Sequence, residues 1–343
     1  MDDITGLHHV GHVVRDMEQA MERYRRLGFT LPPPAYPTMP RAAGGEPEPF
    51  GTGNTHAYFP RNFVELVTVV DEDGTGRIPA DAELIELRVP DDKLPGLVAA
   101  VQGTAANLAA CLRRFEGLHI LMFDASDIEG AAVRLDAGGA GHGGVHVVQR
   151  PVETEDGTRL ETVRYLEIDT PGMPRGRVPE GRVGLAQNPA PAETRHPGPD
   201  RGTTLQTHPN GAVDLVECVL CVADADLPDV ERRYAEYLAR PARPDGQARA
   251  FDLDDGRITL VASSHLPGVL PGEQAPPLPA FVAYAVAVRD LAATERFLRG
   301  AGLPVATTTS GDTFVPAAAA AGVAIIFRQA GPGFSERSSG RVG

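Results

Sequence analysis

A glutamate inside an apolar, strand-like run is the residue whose placement most strongly suggests chemistry. Glu65 lies in residues 62–70, which read NFVELVTVV. An ionised carboxylate on a mostly apolar strand is costly without a partner, and a divalent cation is a good partner. The alternative is an arginine that pairs with Glu65 as part of the core. The residues alone leave both interpretations open.

A histidine in a second apolar run is the natural companion of this carboxylate. In the run LHHVGHVV, strand periodicity places His9 on one face with Gly11 and Val13, whereas His8 and His12 share the other face with Val10. A neutral imidazole is a good ligand for divalent transition metals. The alternative is a hydrogen-bonded core histidine.

The cysteines, the single lysine and the glycine-rich segments give little evidence of a functional site. Cys218 and Cys221 lie in the strand-like run ECVLCVA, where residues three apart point to opposite faces, so buried thiols are favoured over a zinc or redox pair. The single lysine, Lys93, lies in a polar run, which argues against Schiff-base chemistry. No glycine-rich phosphate-binding motif follows a strand.

Four repeats must position these residues. Residues 7–29, 118–141, 215–241 and 281–305 each read as an apolar strand, an acidic cap and a short amphipathic helix. In the first repeat, Asp16 stands at the N-cap, with Gln19 three residues later, and Gly28 stands just past the helix. One helix face is predicted to be buried, formed by Met17, Ala20, Met21, Tyr24 and Leu27.

Strand-like runs after each helix complete four βαβββ modules. The sequence therefore predicts an α+β fold in which two modules form each domain. The N-terminal domain is expected over residues 5–188, with modules at 7–70 and 116–188 and a bridging helix at 91–115. A Pro- and Gly-rich linker is expected at 189–211, the C-terminal domain at 212–330 and a flexible tail at 331–343.

Paired βαβββ modules that open with an L-x-H-V strand and close with an apolar-E-L strand resemble the vicinal oxygen chelate superfamily. That superfamily includes glyoxalases, methylmalonyl-CoA epimerase, extradiol dioxygenases and drug-resistance proteins. The segments GLHHVGHVVRDM, RRLGF, GTGN and FVELV are most similar to its glyoxalase-like domain branch. The resemblance covers most of residues 5–330 and implies cup-shaped mixed sheets.

The resemblance also implies a metal site, because the superfamily takes its ligands from the first and last strands of two modules. It assigns His9 and Glu65 in module one and His119 in module two, with Gly184 in place of a fourth ligand. The matching positions of the second domain provide only one carboxylate and no imidazole. They are occupied by Glu217, Thr259, Ala283 and Ile325. Two imidazoles and a carboxylate suit Fe²⁺, Mn²⁺, Co²⁺, Ni²⁺ or Zn²⁺.

A metal with open positions would chelate a substrate through two adjacent oxygens and stabilise an enediolate while a side chain moves the proton. His56 is the preferred base, with Tyr58 and Glu167 as the other catalytic candidates. His146 and Tyr165 are further candidates for this base.

Three functions remain open. The first is a metal-dependent isomerase, epimerase or lyase acting on an α-hydroxy-carbonyl compound such as a polyol or cyclitol ketone. The second is an extradiol-type dioxygenase using Fe²⁺, although dioxygenases of this length hold their metal in the C-terminal domain. The third is a non-catalytic small-molecule binding or resistance protein, which the absence of tryptophan disfavours.

Composition sets the remaining expectations. The chain has 343 residues and a formal net charge of −14, which argues against nucleic acid and anionic membranes as partners. No stretch approaches the ~20 apolar residues of a membrane span, and no secretory signal opens the sequence. We expect a cytoplasmic protein with a small-molecule substrate, and the ligand-poor second domain is expected to pack on the first or form a homodimer.

Overall fold

The computed structural model describes residues 3–40, 46–70, 78–87, 94–154, 157–188 and 206–331. The first residues of the predicted bridging helix, residues 189–205 of the predicted linker and nearly all of the predicted tail lie outside these ranges. The five helices of the described residues are α1 (Met17–Arg26), α2 (Leu94–Arg114), α3 (Ile128–Gly138), α4 (Leu227–Leu238) and α5 (Leu291–Gly300).

The strands fall into two groups on either side of the predicted linker. Those before it are β1 (Ile4–Val13), β2 (Ala35–Pro40), β3 (Pro47–Pro49), β4 (Thr52–Tyr58), β5 (Phe63–Val69), β6 (Glu83–Glu86), β7 (Gly117–Ala125), β8 (His146–Thr154), β9 (Gly157–Glu167) and β10 (Arg182–Gln187). Those after it are β11 (Ala212–Val222), β12 (Arg243–Asp245), β13 (Ala248–Asp252), β14 (Arg257–Ala262), β15 (Ala280–Val288), β16 (Ala306–Thr307), β17 (Thr313–Val315) and β18 (Ala324–Gln329).

Both halves use one pairing scheme. The first strands of two modules, β1 and β7, pair antiparallel at the centre, and each is flanked by the last strand of its own module, β5 or β10, in parallel. The second half repeats this arrangement with β11 and β15 flanked by β14 and β18. The predicted α+β fold of four βαβββ modules is thereby confirmed.

The first module shows why these residues form these elements. The Asp16 carboxylate accepts a hydrogen bond from the Gln19 backbone N–H at 3.0 Å and so caps α1. Gly28 ends the helix with a φ of +84°, a conformation that favours glycine. The predicted apolar face of α1 is buried against one face of the sheet. We call the opposite face, where no α1 residue packs, the inner face.

The inner faces of the two halves are filled differently. In the second half, Leu266 and Leu270 lie on the inner face with Phe314 and Ile326 and close it with apolar side chains. In the first half, a smaller apolar cluster that includes Ile120, and to which Leu108 of α2 contributes, covers part of the inner face. The remainder carries the polar groups described below.

Helix α2 departs from one expectation. Among the described residues it is a helix long and apolar enough, by length and composition alone, to cross a membrane, whereas the sequence was expected to contain no such stretch. Its last turns are nevertheless tied to the fold. Leu108 and Cys111 are buried, and the Arg114 guanidinium donates to the carbonyl oxygens of Pro179 and Pro279 at 2.9 and 2.7 Å.

Buried polar contacts join the two halves. The Arg61 guanidinium pairs with both Asp214 and Asp255. The fully buried carboxylate of Glu180 accepts hydrogen bonds from Arg233 and from the Tyr234 hydroxyl, each at 2.7 Å. Because the carboxylates of Asp214 and Glu180 are buried and would be costly to bury alone, these contacts hold the halves in a fixed arrangement.

A second chain of hydrogen bonds crosses the same interface. The Tyr284 hydroxyl donates to the Tyr24 hydroxyl at 3.1 Å, which leaves the Tyr24 proton for Nδ1 of His12 at 2.8 Å. Nε2 of His12 then donates to the Ala321 carbonyl at 2.8 Å. Every group in this buried chain is satisfied only while His12 is neutral, and burial lowers its pKa to about 4.

We predict that stability falls as the pH drops from 7 to 5, partly because of His12. The unfolded chain binds a proton near pH 6.5, whereas His12 in the folded protein does so only near pH 4, so acid favours the unfolded state. The His12 contribution over this range is about 2 kcal/mol. Urea unfolding at both pH values measures it. His12→Gln should reduce the pH-dependent loss by about that amount, whereas His146→Gln, which replaces an exposed histidine of β8, should not. An unchanged loss in His12→Gln would contradict this account.

Candidate functional site

Strand register brings four sequence-predicted residues onto one face. Glu65 lies opposite Gly11 in the parallel β1–β5 ladder and opposite His56 in the antiparallel β4–β5 ladder. His9 and Tyr58 both lie opposite Phe63, two residues away. Because alternate residues of a strand share a face, these side chains all project from the inner face of the first half.

Glu65 is the centre of this group. His9 Nε2 lies 3.9 Å from one carboxylate oxygen, and His56 Nε2 lies 3.9 Å from the other. The Asn54 amide donates to Glu65 Oε1 at 3.1 Å. The side chains of Glu65, His9 and His56 are 14%, 14% and 20% exposed, so the group is sheltered yet open to a small molecule.

The surroundings of Glu65 do little to stabilise its negatively charged form. Burial raises the pKa of Glu65, while the Asn54 hydrogen bond and the more distant Arg182 act in the opposite direction. Within the described ranges no arginine or lysine forms an ion pair with this carboxylate. The alternative of an arginine partner is therefore not what the structure shows, and the buried carboxylate retains capacity for a cation.

An irregularity in β1 adds His8 to the group. The ladder with β7 shifts register between Leu7 and His9, so the extra residue His8 no longer follows simple alternation. His8 and His9 contact each other through their Nδ1 atoms at 2.7 Å. His9 also stacks on Phe63, with ring centroids 4.5 Å apart. The expectation that His8 faces away from His9 is thus wrong.

These contacts link the tautomer of His9 to its neighbours. His8 Nε2 lies 2.8 Å from the Asn188 amide nitrogen, so His8 accepts there and donates from Nδ1 to His9, which leaves the His9 proton on Nε2. For His9 Nε2 to bind a metal, its proton must move to Nδ1, and Asn188 must present its oxygen to His8 instead. Burial and nearby His8 and His56 lower the pKa of His9 well below its usual range, which keeps it neutral.

His56 has a second partner. The Tyr58 hydroxyl lies 3.1 Å from His56 Nδ1, so the ring is held between this phenol and Glu65. The arrangement orients Nε2 toward the carboxylate whichever tautomer is present. Two of the predicted catalytic residues therefore contact each other.

The structure places His119 elsewhere. Between Gly11 and His12 the β1–β7 ladder shifts register, so that Gly11 lies opposite Ile120 and His12 opposite Leu118. His119 is the extra residue, and Ile120 occupies the inner face instead. His119 Nε2 contacts the Phe115 carbonyl at 3.0 Å, its ring packs on Phe115, and burial lowers its pKa to about 4. No contact among the described residues joins it to Glu65.

The third catalytic candidate, Glu167, is paired. It lies on β9 opposite Gly184, and Arg182 donates from Nε to its Oε1 at 2.9 Å and from Nη2 to the same oxygen. The Glu167 carboxylate is therefore already engaged by a cationic side chain. Tyr165 lies nearby on the inner face and stacks with His146 at 5.2 Å.

Packing explains the glycine at position 184. A Cβ there would lie 2.9 Å from the Met122 side chain and 2.3 Å from the Leu166 carbonyl oxygen. A larger residue would require the strands to move, so the position expected to carry a fourth ligand has no space for one.

The second half holds a different arrangement at the corresponding positions. Glu217, expected to be an isolated carboxylate, forms ion pairs with Arg257 and Arg328 at 2.9 and 2.8 Å and accepts a hydrogen bond from Thr259. Its charge is already compensated within the protein. The side chain is 3% exposed, so it is not available to a ligand.

Only part of a metal site is present in the described ranges. No three His, Cys, Asp or Glu side chains there are arranged as a group that could hold an ion as they stand. His9 and His56 nevertheless each lie beside one oxygen of the Glu65 carboxylate. Tetrahedral or adjacent octahedral ligands at about 2.0–2.2 Å from a shared ion lie about 2.8 to 3.6 Å apart, so the two 3.9 Å separations must shorten for all three side chains to bind one ion.

Three residues that shape the site were not singled out in the sequence. Asn54 and Arg182 could have been found by strand parity, since each lies two residues from a position already marked, His56 or Gly184. His8 could not, because its orientation depends on the register shift in β1.

Comparisons with known proteins agree with the fold. The family model described as "Glyoxalase-like domain" matches residues 7–238. A hypothetical protein from Staphylococcus aureus is similar in structure, with 11% identity, coverage of 94% of this chain and 99% of that chain, and a TM-score of 0.54. No curated protein sequence matches.

A mutant of 4-hydroxymandelate synthase from Streptomyces coelicolor is also similar, with 13% identity, coverage of 97% of this chain and 95% of that chain, and a TM-score of 0.53. At these identities the likeness concerns the fold alone. Together with the matching family model, it shows that the chain belongs to the glyoxalase-like domain family of the vicinal oxygen chelate superfamily.

Proposed function

We propose that this protein is a metal-dependent isomerase, epimerase or lyase that acts on a small α-hydroxy-carbonyl compound at the inner face of its first half. The observation that carries this proposal is the buried Glu65 carboxylate, which contacts two imidazoles and, within the described residues, no cationic side chain. Enzymes are found among the proteins whose structures are similar to this chain, which supports an enzymatic role without giving the reaction.

The proposed ligands are His9, His56 and Glu65. This set keeps two residues of the sequence-based assignment and replaces His119 with His56, because His56 lies beside Glu65 and His119 does not. A divalent ion would relieve the cost of burying the Glu65 charge. When bound, it would polarise a substrate carbonyl and stabilise an enediolate.

The chain's own residues would then move the proton. Tyr58 is the nearest candidate: with His56 Nε2 on the ion, the ring proton would lie on Nδ1 and donate to the Tyr58 oxygen at 3.1 Å, which would stabilise the phenolate that accepts the substrate proton. Glu167 is the weaker candidate because its carboxylate is already engaged by Arg182. If His56 is not a ligand, its Nε2 is the base, and Glu65 stabilises the protonated ring at 3.9 Å.

The other two functions make different demands on the same residues. A dioxygenase would use the same donors with Fe²⁺, so the identity of the bound metal separates it from a proton-transfer enzyme. A binding protein would need no metal. An arginine partner for Glu65 would favour that function, and the described residues form no such pair.

We predict that the protein binds one divalent ion and that substituting a proposed ligand weakens this binding, whereas substituting His119 does not. His9→Ala, His56→Ala and Glu65→Gln should each weaken binding by at least about 10- to 100-fold, the range lost even when an outer partner is removed. Elemental analysis after purification without chelator, followed by calorimetric titration with Zn²⁺ and Mn²⁺, measures this. His119→Ala is the matched control and should keep binding within about twofold of the parent.

The same titrations also define the results that would contradict the proposed ligands. Loss of the ion in His119→Ala with retention in His56→Ala would restore the sequence-based ligand set. Retention in His56→Ala together with lost turnover would make His56 the base. No binding by the unmodified protein would overturn the proposed function.

We also predict that Tyr58→Phe slows proton transfer without removing the ion. Positioned proton transfer contributes about 10²- to 10⁴-fold to a rate, so the variant should lose a comparable factor. The measurement is deuterium incorporation at the carbon beside the carbonyl of hydroxyacetone or dihydroxyacetone in D₂O, followed by NMR. Tyr165→Phe, which removes an inner-face phenol without a contact to His56, should retain the rate. Equal losses in both variants would refute the assignment.

A further inference from the structure

A chain of contacts leads from Asn188 to the proposed metal ligand His9. The Asn188 amide nitrogen lies 2.8 Å from His8 Nε2, and His8 Nδ1 lies 2.7 Å from His9 Nδ1. At the far end, His9 Nε2 faces the Glu65 carboxylate at 3.9 Å. His8 is buried, so its two ring nitrogens need protein partners such as these.

Neutral imidazoles give this chain a direction. Each ring donates from one nitrogen and accepts at the other, so the proton position on one ring fixes the position on the next. When the Asn188 amide donates to His8, His8 donates to His9, and the His9 proton lies on Nε2. That nitrogen then has no lone pair for an ion.

Binding of an ion through His9 Nε2 requires the opposite direction along the whole chain. His9 then donates from Nδ1 to His8, and His8 donates from Nε2 to Asn188. Each ring carries one proton before and after, so the reversal releases none. It does require Asn188 to turn over and present its Oδ1 in place of its amide nitrogen.

An amide is suited to end this chain in either direction. It holds a donor and an acceptor on neighbouring atoms, whereas a carboxylate only accepts and an ammonium only donates. Asn188 directly follows β10, where Gln187 accepts from the Ile128 N–H and donates to the Ser126 carbonyl, each at 3.0 Å. The adjoining backbone is thereby held, while the terminal torsion of Asn188 allows the amide to turn over.

We propose that Asn188 is a positioning residue that sets the metal affinity of the site by selecting the tautomer of His9 through His8. The inference rests on the proposed function for its metal, whereas the coupling of the three side chains also holds in the metal-free protein. Without metal, the amide keeps His9 Nε2 protonated, and an ion must reverse the chain to bind. Once turned over, the amide supports the ligand form of His9.

The first test uses the unmodified protein. Long-range ¹H–¹⁵N NMR identifies which nitrogen of each imidazole carries the proton, with spectra of His8→Gln and His9→Gln used for assignment. Without metal, the His8 proton should lie on Nδ1 and the His9 proton on Nε2. Adding Zn²⁺ should move the His8 proton to Nε2. A His9 proton already on Nδ1 without metal, or a His8 proton that stays on Nδ1 with Zn²⁺ bound, would overturn the inference.

The second test replaces Asn188 with a side chain that accepts but cannot donate. At pH 8.5, above the ordinary titration range of histidine, Asn188→Asp should place the His9 proton on Nδ1 before any metal is added. Calorimetric titration should then show about tenfold tighter Zn²⁺ binding, the lower end of the range for outer partners of metal ligands. In a His8→Gln background the same substitution should change the affinity by less than about twofold, because its effect passes through His8.

The matched control is Gln187→Glu, which adds the same charge one residue away and keeps an acceptor for the Ile128 N–H. It should leave both tautomers unchanged and the Zn²⁺ affinity within about twofold of the parent. An unchanged His9 tautomer in Asn188→Asp, or an equal gain of affinity in both variants, would refute the role of Asn188. If the parent binds no Zn²⁺, the proposed function fails, while the metal-free spectra still decide whether Asn188 selects the tautomer of His9.

Discussion

The cost of burying a carboxylate is the constraint on which both halves of this protein depend. In the second half, Glu217 is compensated from within by Arg257, Arg328 and Thr259. In the first half, Glu65 receives one amide hydrogen bond and lies beside two imidazoles, of which burial keeps His9 neutral. The same fold therefore holds one completed charge network and one incomplete network, and only the incomplete one has reason to bind a ligand.

Packing follows the same division. Around Glu217 the inner face is filled, because Leu266 and Leu270 pack into it with the surrounding apolar side chains. Around Glu65 the inner-face apolar cluster includes Leu108 and Leu112 of α2, and the polar side chains keep partial access to solvent. The second half contributes ion pairs and buried hydrogen bonds to the interface, so its role in fixing the first half needs no ligand of its own.

Much of this could be predicted from sequence because it follows local rules. The Asp16 cap, the Gly28 terminus and the buried face of α1 depend on residues within one helical length, and all three are confirmed. The placement of His9 and Glu65 on one face needed only strand alternation and the repeat pattern, whereas that of His56 depends on the β4–β5 register. What could not be predicted is where alternation fails, since a register shift depends on how two distant strands pair.

The register shifts recur at matching places in both halves, which shows that they belong to the fold. The β1–β7 ladder shifts near Gly6, near His8 and beside Ile120, and the β11–β15 ladder repeats these shifts. When the two ladders are superposed by these shifts, Glu217 corresponds to His9. Gly11 pairs with Ile120, and the equivalent pair in the second half is Val219 with Ala283. Ala283 therefore corresponds to Ile120.

An alignment of the repeats that matches His119 with Ala283 is therefore one residue out of register. The true counterpart of His119 is the bulged Val282, whereas the bulge at His8 adds an imidazole next to His9. The register shift at His119 thus places that histidine outside the site, whereas the register shift at His8 places a histidine in it. The asymmetric donor set follows from the pairing of the strands, with His56 of β4 providing the second imidazole beside Glu65.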